Sequence, residues 1–160
     1  MARITVRDTS AELPALDEED LEPVSSLGTG RGLVSGFQFG DITLPALELT
    51  STGLLRGKVR ALRAEQASVS GARVNSVEFT GCDLSTLRWT GGKVSRVRFD
   101  SCKLLGARFE EVSAEHVVFT GCKLDYGPPG RFCSLTARCA KLNLVAASWP
   151  ALCLTVATCA

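Results

Sequence analysis

Three cysteines stand twenty residues apart, at Cys82, Cys102 and Cys122. Thiols at a fixed interval could form a redox pair or ligate a soft metal, because the thiolate is both nucleophile and ligand. No Cys-x-x-Cys pair accompanies them, so the spacing carries no zinc signature. The single histidine, His116, has no acidic or nucleophilic neighbour at a catalytic spacing, and one histidine builds neither a metal cluster nor a triad. The run Gly28-Thr29-Gly30-Arg31-Gly32 looks like a phosphate loop only at first sight. It lacks the Gly-Lys-Ser/Thr end of one nucleotide motif and the third glycine of the other, and it reads as a linker. No catalytic residue, cofactor or metal site is expected.

The cysteines gain meaning from the period around them. Every fifth residue from Phe39 to Leu124 is apolar, eighteen in succession, in a chain that is 45% hydrophobic. Chance would give such a run about once in a million trials per phase. Two residues before each apolar centre stands another small or apolar residue, such as Val77, Cys82, Leu87, Val97, Cys102 and Cys122. The residue between the two is almost always polar or charged, as at Glu78, Asp83, Arg88, Lys93 and Arg98. In, out, in over three residues is extended backbone. The two residues after the centre are small or polar, with glycine at Gly81, Gly91, Gly106 and Gly121, which suits a corner.

A unit this short cannot bury its own face and must stack on copies of itself. Sorting the centres by steps of twenty separates residue types cleanly. One column is Phe39, Val59, Phe79, Phe99, Phe119; the next is Leu44, Ala64, Leu84, Leu104, Leu124. The third is Leu49, Val69, Trp89, Phe109, and the fourth is Leu54, Val74, Val94, Ala114. One coil therefore takes about twenty residues and has four sides, with coils about 4.8 Å apart. The expected structural ladder is Phe79, Phe99 and Phe119 with Leu84, Leu104 and Leu124 and the inward Cys82, Cys102 and Cys122. In that setting the cysteines are small packing residues, although stacked neighbours also fall within disulfide range.

Units such as Cys82-Asp83-Leu84-Ser85-Thr86, Cys102-Lys103-Leu104-Leu105-Gly106 and Cys122-Lys123-Leu124-Asp125-Tyr126 resemble the A-(D/N)-L-x-x unit of the bacterial pentapeptide-repeat proteins. The resemblance covers residues 37–126 and is to a looser branch, since Arg, Lys or Glu often replaces the Asp or Asn. It implies an all-β fold, a right-handed, four-sided parallel β-helix. It also implies a protein-binding role. Known members of the family resemble duplex DNA and occupy type II topoisomerases, protecting gyrase from quinolones.

Charge bears on that role. The chain is net +1 overall. Residues 1–36 are net −4, residues 37–125 net +2 and residues 126–160 net +3. DNA mimicry needs an acidic face, so a scaffold for an unidentified protein partner is the leading expectation and gyrase protection the alternative. A near-neutral chain gives no argument for direct nucleic-acid or membrane binding. The first twenty residues hold no apolar run, and a cytoplasmic location is expected.

Two flanking segments complete the division. Residues 1–36 form an acidic N-terminal arm or cap, either solvated or folded over the open end of the first coil. Residues 127–160 are uncharged after Lys141 and hold Cys133, Cys139, Cys153 and Cys159. They read as further coils with a greasy outer face buried in a homodimer or under a partner, as an irregular cap, or as an out-of-frame tail. On the last reading the protein is a truncated structural module without a specific partner. The five-residue phase continues weakly through Leu144, Trp149 and Leu154.

Overall fold

The computed structural model describes residues 2–6, 9–13, 15–28, 31–105, 107–120 and 122, and, further on, 133–134, 136–137, 142–147 and 152–153. Their fold is a parallel β-solenoid of about 4 turns with roughly 20 residues per coil.

An antiparallel hairpin comes first, β1 (Ala2–Val6) with β2 (Thr9–Leu13). A single 3-10 turn (Glu18–Asp20) and the two-residue β3 (Glu22–Pro23) lead to the solenoid. The first two coils are the long, bent strands β4 (Leu33–Thr50) and β5 (Gly53–Ser70). The next coils break into β6 (Arg73–Thr80), β7 (Arg88–Thr90), β8 (Lys93–Asp100), β9 (Arg108–Glu110) and β10 (Ser113–Thr120). Four short strands follow: β11 (Cys133–Ser134), β12 (Thr136–Ala137), β13 (Leu142–Ala147) and β14 (Leu152–Cys153).

The register repeats the sequence period. Phe39 pairs with Val59, Val59 with Phe79, Phe79 with Phe99 and Phe99 with Phe119. Val69 pairs with Trp89 and Trp89 with Phe109. We number the four lateral faces by these columns: first for Phe39 and its stack, second for Leu44, third for Leu49, fourth for Leu54. In the upper coils the second face is reduced to single bridges, Arg63 to Asp83 and Asp83 to Lys103.

Inward columns fill the interior. Phe37, Val59, Leu62, Val77, Val97 and Leu104 are completely shielded. The rings of Phe79 and Phe99 stack 4.9 Å apart at 8°, and those of Trp89 and Phe109 lie 5.8 Å apart at 23°. Such pairs add to the area they bury. The corner two residues after most centres is left-handed: Asp41, Ser51, Arg56, Ala61, Ser76, Thr86, Arg96, Ser101, Glu111 and His116 have φ between 48° and 66°, whereas the strands run on past Ala46 and Gln66. Gly81 and Gly91 occupy the same place with φ of 62° and 66° and meet it without a Cβ.

Beyond the repeats the register jumps. Ala114 pairs with Leu142 and Val117 with Leu144, separations of 28 and 27 residues in place of 20. The centre Phe119 now faces Ala146, so the centre column does not run through Leu144. Thr136 already pairs with Arg108 at a separation of 28, so the change of coil length comes before Thr136. Leu124, Trp149, Leu154, Cys139 and Cys159 lie outside the described residues.

Candidate interaction surfaces

The cysteine column forms at the inward position before the second-face centres. Cys82, Cys102 and Cys122 are buried and form no disulfide, stacked with Leu84 and Leu104 beside them. Each thiol donates to a backbone carbonyl of the coil below: Cys82 to Val59 O (3.5 Å), Cys102 to Phe79 O (3.3 Å) and Cys122 to Phe99 O (3.3 Å). The Cys122 thiol favours a Cys102 thiolate. The Cys82 hydrogen bond, burial and the charge of Cys82 outweigh it and push Cys102 up to about 12. A thiol held neutral and bonded to backbone is a packing residue. Among the described residues, no group of three or more His, Cys, Asp or Glu is placed to hold a metal ion. No helix among them is long and apolar enough to cross a membrane.

The other sequence candidates are dispersed. Of the aromatic ladder, Phe79 and Phe99 stack, and Phe119 continues it in backbone register. Gly28 has φ 89° and packs beside Val34 and Thr52, while Thr29 and Gly30 lie outside the described residues. His116 occupies its corner with φ 54° but is half-buried rather than exposed. The reason is on the outside of the rod. Strand β2 of the N-terminal hairpin packs against β8, β10 and β13, and His116 lies in β10.

That packing divides the outer surface. Outward residues of the first face, Gln38, Lys58, Glu78 and Arg98, are all half-buried. Arg96 and Arg98 have buried Nε atoms with no hydrogen-bond partner. On the third face Glu48, Ser68 and Arg88 are exposed, and on the fourth so are Arg73 and Lys93. Arg73 and Lys93 are direct cross-strand neighbours of like charge, an arrangement that gains nothing from pairing.

The third face also holds a groove of about 450 Å³, lined by Ala46, Leu47, Glu48, Gln66, Ala67, Ser68, Thr86 and Arg88. Its origin is a change of corner. In the first two coils the strand runs unbroken past residues 46 and 66. In the third, Thr86 turns left-handed and Leu87 N donates to Leu84 O (3.1 Å). The groove opens between the two corner types. Glu48 lies on its lower wall and Arg88 on its upper wall, two strand spacings or about 10 Å apart. A carboxylate and a guanidinium across a mixed floor of Ala46, Leu47, Ala67, Gln66, Ser68 and Thr86 can bind a segment carrying both charges. They have no proton donor and nucleophile in mutual reach.

Sequence reasoning placed the charged residues outside and missed which would be covered. The signal present was the acidic run Asp17 to Asp20, whose Glu18 bridges Lys58 at 3.5 Å and also binds Arg60. Nothing in the repeat marks those two cations as its partners. No protein-family model matches this chain. No curated protein matches it either.

Proposed function

We propose that this protein is a non-enzymatic interaction scaffold of the pentapeptide-repeat type that binds a protein partner, as yet unidentified, along its rod. The observation that carries the reading is the exposed third face, where a groove walled by Glu48 and Arg88 is set in a rigid ladder. Side chains held on stacked strands need little ordering on binding, which is where affinity is otherwise lost. The family resemblance, with its implied bacterial origin, supports the same role. A reducing, cytoplasmic setting suits three stacked cysteines that carry no disulfide.

The test is affinity capture from the source cells with the full chain, alongside Glu48→Lys/Arg88→Glu. A protein recovered with the unaltered chain and lost with the doubly altered one supports the groove as its site. Equal recovery by both chains, or chaperones alone, would remove it.

Gyrase protection stays as a second reading because Asp17, Glu18, Glu19, Asp20 and Glu22 are all exposed along the N-terminal segment. Type II topoisomerase subunits in the capture, followed by an effect on supercoiling, would favour it. The exposed cations Arg63, Arg73, Arg88 and Lys93 argue against a DNA-like surface.

A further inference from the structure

The N-terminal segment is continuous with the solenoid in sequence but runs back over its outside. Strand β2 lies against β8, β10 and β13, near the upper end of the rod. The 3-10 turn comes next, beside the second coil, where Glu18 meets Lys58 and Arg60. Lower still, Gln38 Nε2 donates to Glu18 O (2.8 Å) and Leu21 O (3.3 Å). Finally β3 pairs in parallel with Phe37–Gln38, and Leu21 and Leu27 are buried at the end of the first coil. The segment is thus a strap that runs back along the rod and crosses the first face at Lys58, Arg60 and Gln38.

Two parts of the strap are held differently. Leu27 in the core, Val24 packed against it and the β3 strand pair anchor its lower end, where Leu21 is also buried. Its middle is held by Glu18, half exposed, on cations of which Arg60 is also half exposed. Exposed ion pairs bind weakly and are screened by salt. Five carboxylates, Asp17, Glu18, Glu19, Asp20 and Glu22, lie in this stretch. Beneath it are Lys58 and Arg60, and further up Arg96 and Arg98, whose Nε atoms are covered but unbonded, although Arg98 Nη2 pairs with Asp100 at 3.1 Å. Cations shielded from water without full hydrogen bonding favour an acceptor that completes them.

From this arrangement we infer that the first face is a docking surface for an acidic peptide segment, and that the chain's own strap occupies it in the closed state. The inference rests on the scaffold reading and deepens it. The partner presents an extended run of carboxylates like residues 17–22, and binding requires the strap's middle to lift while Leu21 and Leu27 stay anchored. Apparent affinity is then lowered by the fraction of time the strap is down.

The test uses the full-length chain and a fluorescent synthetic peptide of residues 9–20, the part that lifts, as the probe, read by anisotropy. Glu18→Lys opens the strap without touching the buried anchors. It should bind the peptide about fivefold more tightly than the unaltered chain. Lys58→Glu/Arg60→Glu should lose the peptide while keeping the circular-dichroism spectrum of the solenoid. Glu18→Gln, a milder opener, should fall between, which guards against a folding defect in Glu18→Lys. Equal binding by the unaltered and Glu18→Lys chains would overturn the inference, as would binding that survives Lys58→Glu/Arg60→Glu or that a scrambled peptide reproduces. A dimer formed by the opened chain, with straps exchanged, would overturn a separate acidic partner as the occupant. Loss of every partner in affinity capture would sink the scaffold reading alone, since the peptide test needs no partner.

Discussion

The first and third faces are built alike inside and finished differently outside. Both have aromatic columns in the interior, Phe79 on Phe99 and Trp89 on Phe109. Outside, Lys58, Glu78 and Arg98 are half-buried, while Glu48, Ser68 and Arg88 stand in solvent. The repeat dictates the interior, because each coil must match its neighbours at every inward place. The outside is set by a segment that belongs to no coil. Equivalent positions in a repeat are therefore not equivalent in function: one face is occupied by its own chain and another is free.

Inward residues should be indifferent to that distinction. Phe99→Asp removes a ring that is 1% exposed and leaves a charge with no partner. The large-to-small loss alone is about 3–5 kcal/mol, and the buried carboxylate adds to it. The middle coils should unfold, seen as loss of the β signal and of the melting transition. Arg88→Asp, exposed on the free face, should move stability by less than about 0.5 kcal/mol. An unchanged melt for Phe99→Asp would refute the solenoid itself.

The strap's anchor offers the next contrast. Leu27 is 2% exposed and packs in the core, whereas Leu33, six residues further on, is 70% exposed on the fourth face. Leu27→Asp should cost about 2–5 kcal/mol in chemical denaturation and expose the first face to proteolysis. Leu33→Asp should leave both readouts unchanged. If the two behave alike, the strap is not seated at the mouth of the rod.

Within the first face one pair of coils is specially fitted. Phe37 is completely buried where the later coils carry Val77 and Val97, and the residue above it is Gly57. A β-carbon at Gly57 would fall on the Phe37 ring. Gly57→Val should destabilise by about 1–3 kcal/mol. Adding Phe37→Val should recover part of it, a coupling that a double-mutant cycle measures. Additive losses would mean that the two sites do not share volume. Smaller still is the corner term. Ala61 holds φ 48°, a conformation costly to any L side chain. Ala61→Gly relieves that strain but frees the unfolded chain, for a net gain of about 0.5 kcal/mol in a denaturant titration.

What could be read from the sequence follows the same division. The five-residue period fixed the inward columns, and the twenty-residue sorting anticipated Phe79 under Phe99 and Cys82 under Cys102, because local spacing alone decides them. Even the left-handed corners were marked, by Gly81 and Gly91. The strap was not legible as placed. Glu18 and Arg60 are 42 residues apart, and β3 pairs with β4 at a separation of 15, off the repeat. The tail misled for another reason. Its apolar composition kept Leu144 near the expected phase, yet an insertion shifts the centre to Ala146. A period shows which residues face inward only while the coil length stays constant.

The strap itself should respond to pH, and the sign follows from Glu18. Hydrogen bonding and charge from Arg60, then the charge of Lys58, hold its carboxyl below the usual 4.5. A depressed carboxyl adds stability to the closed strap above its unfolded value. That stability fades as pH falls through the lowered one. Protection from backbone hydrogen exchange around the Glu18–Asp20 turn, taken relative to the unstructured rate at each pH, should therefore fall on acidification below about 4.5, while protection at β5 and β6 persists. Since the pair is exposed, the change should be modest and should shrink with added salt. Glu18→Gln should flatten this acid limb, leaving the turn equally labile at neutral and acid pH. A limb that persists in Glu18→Gln would assign the response to other carboxylates of the strap and detach the first face from the contact that distinguishes it from the third.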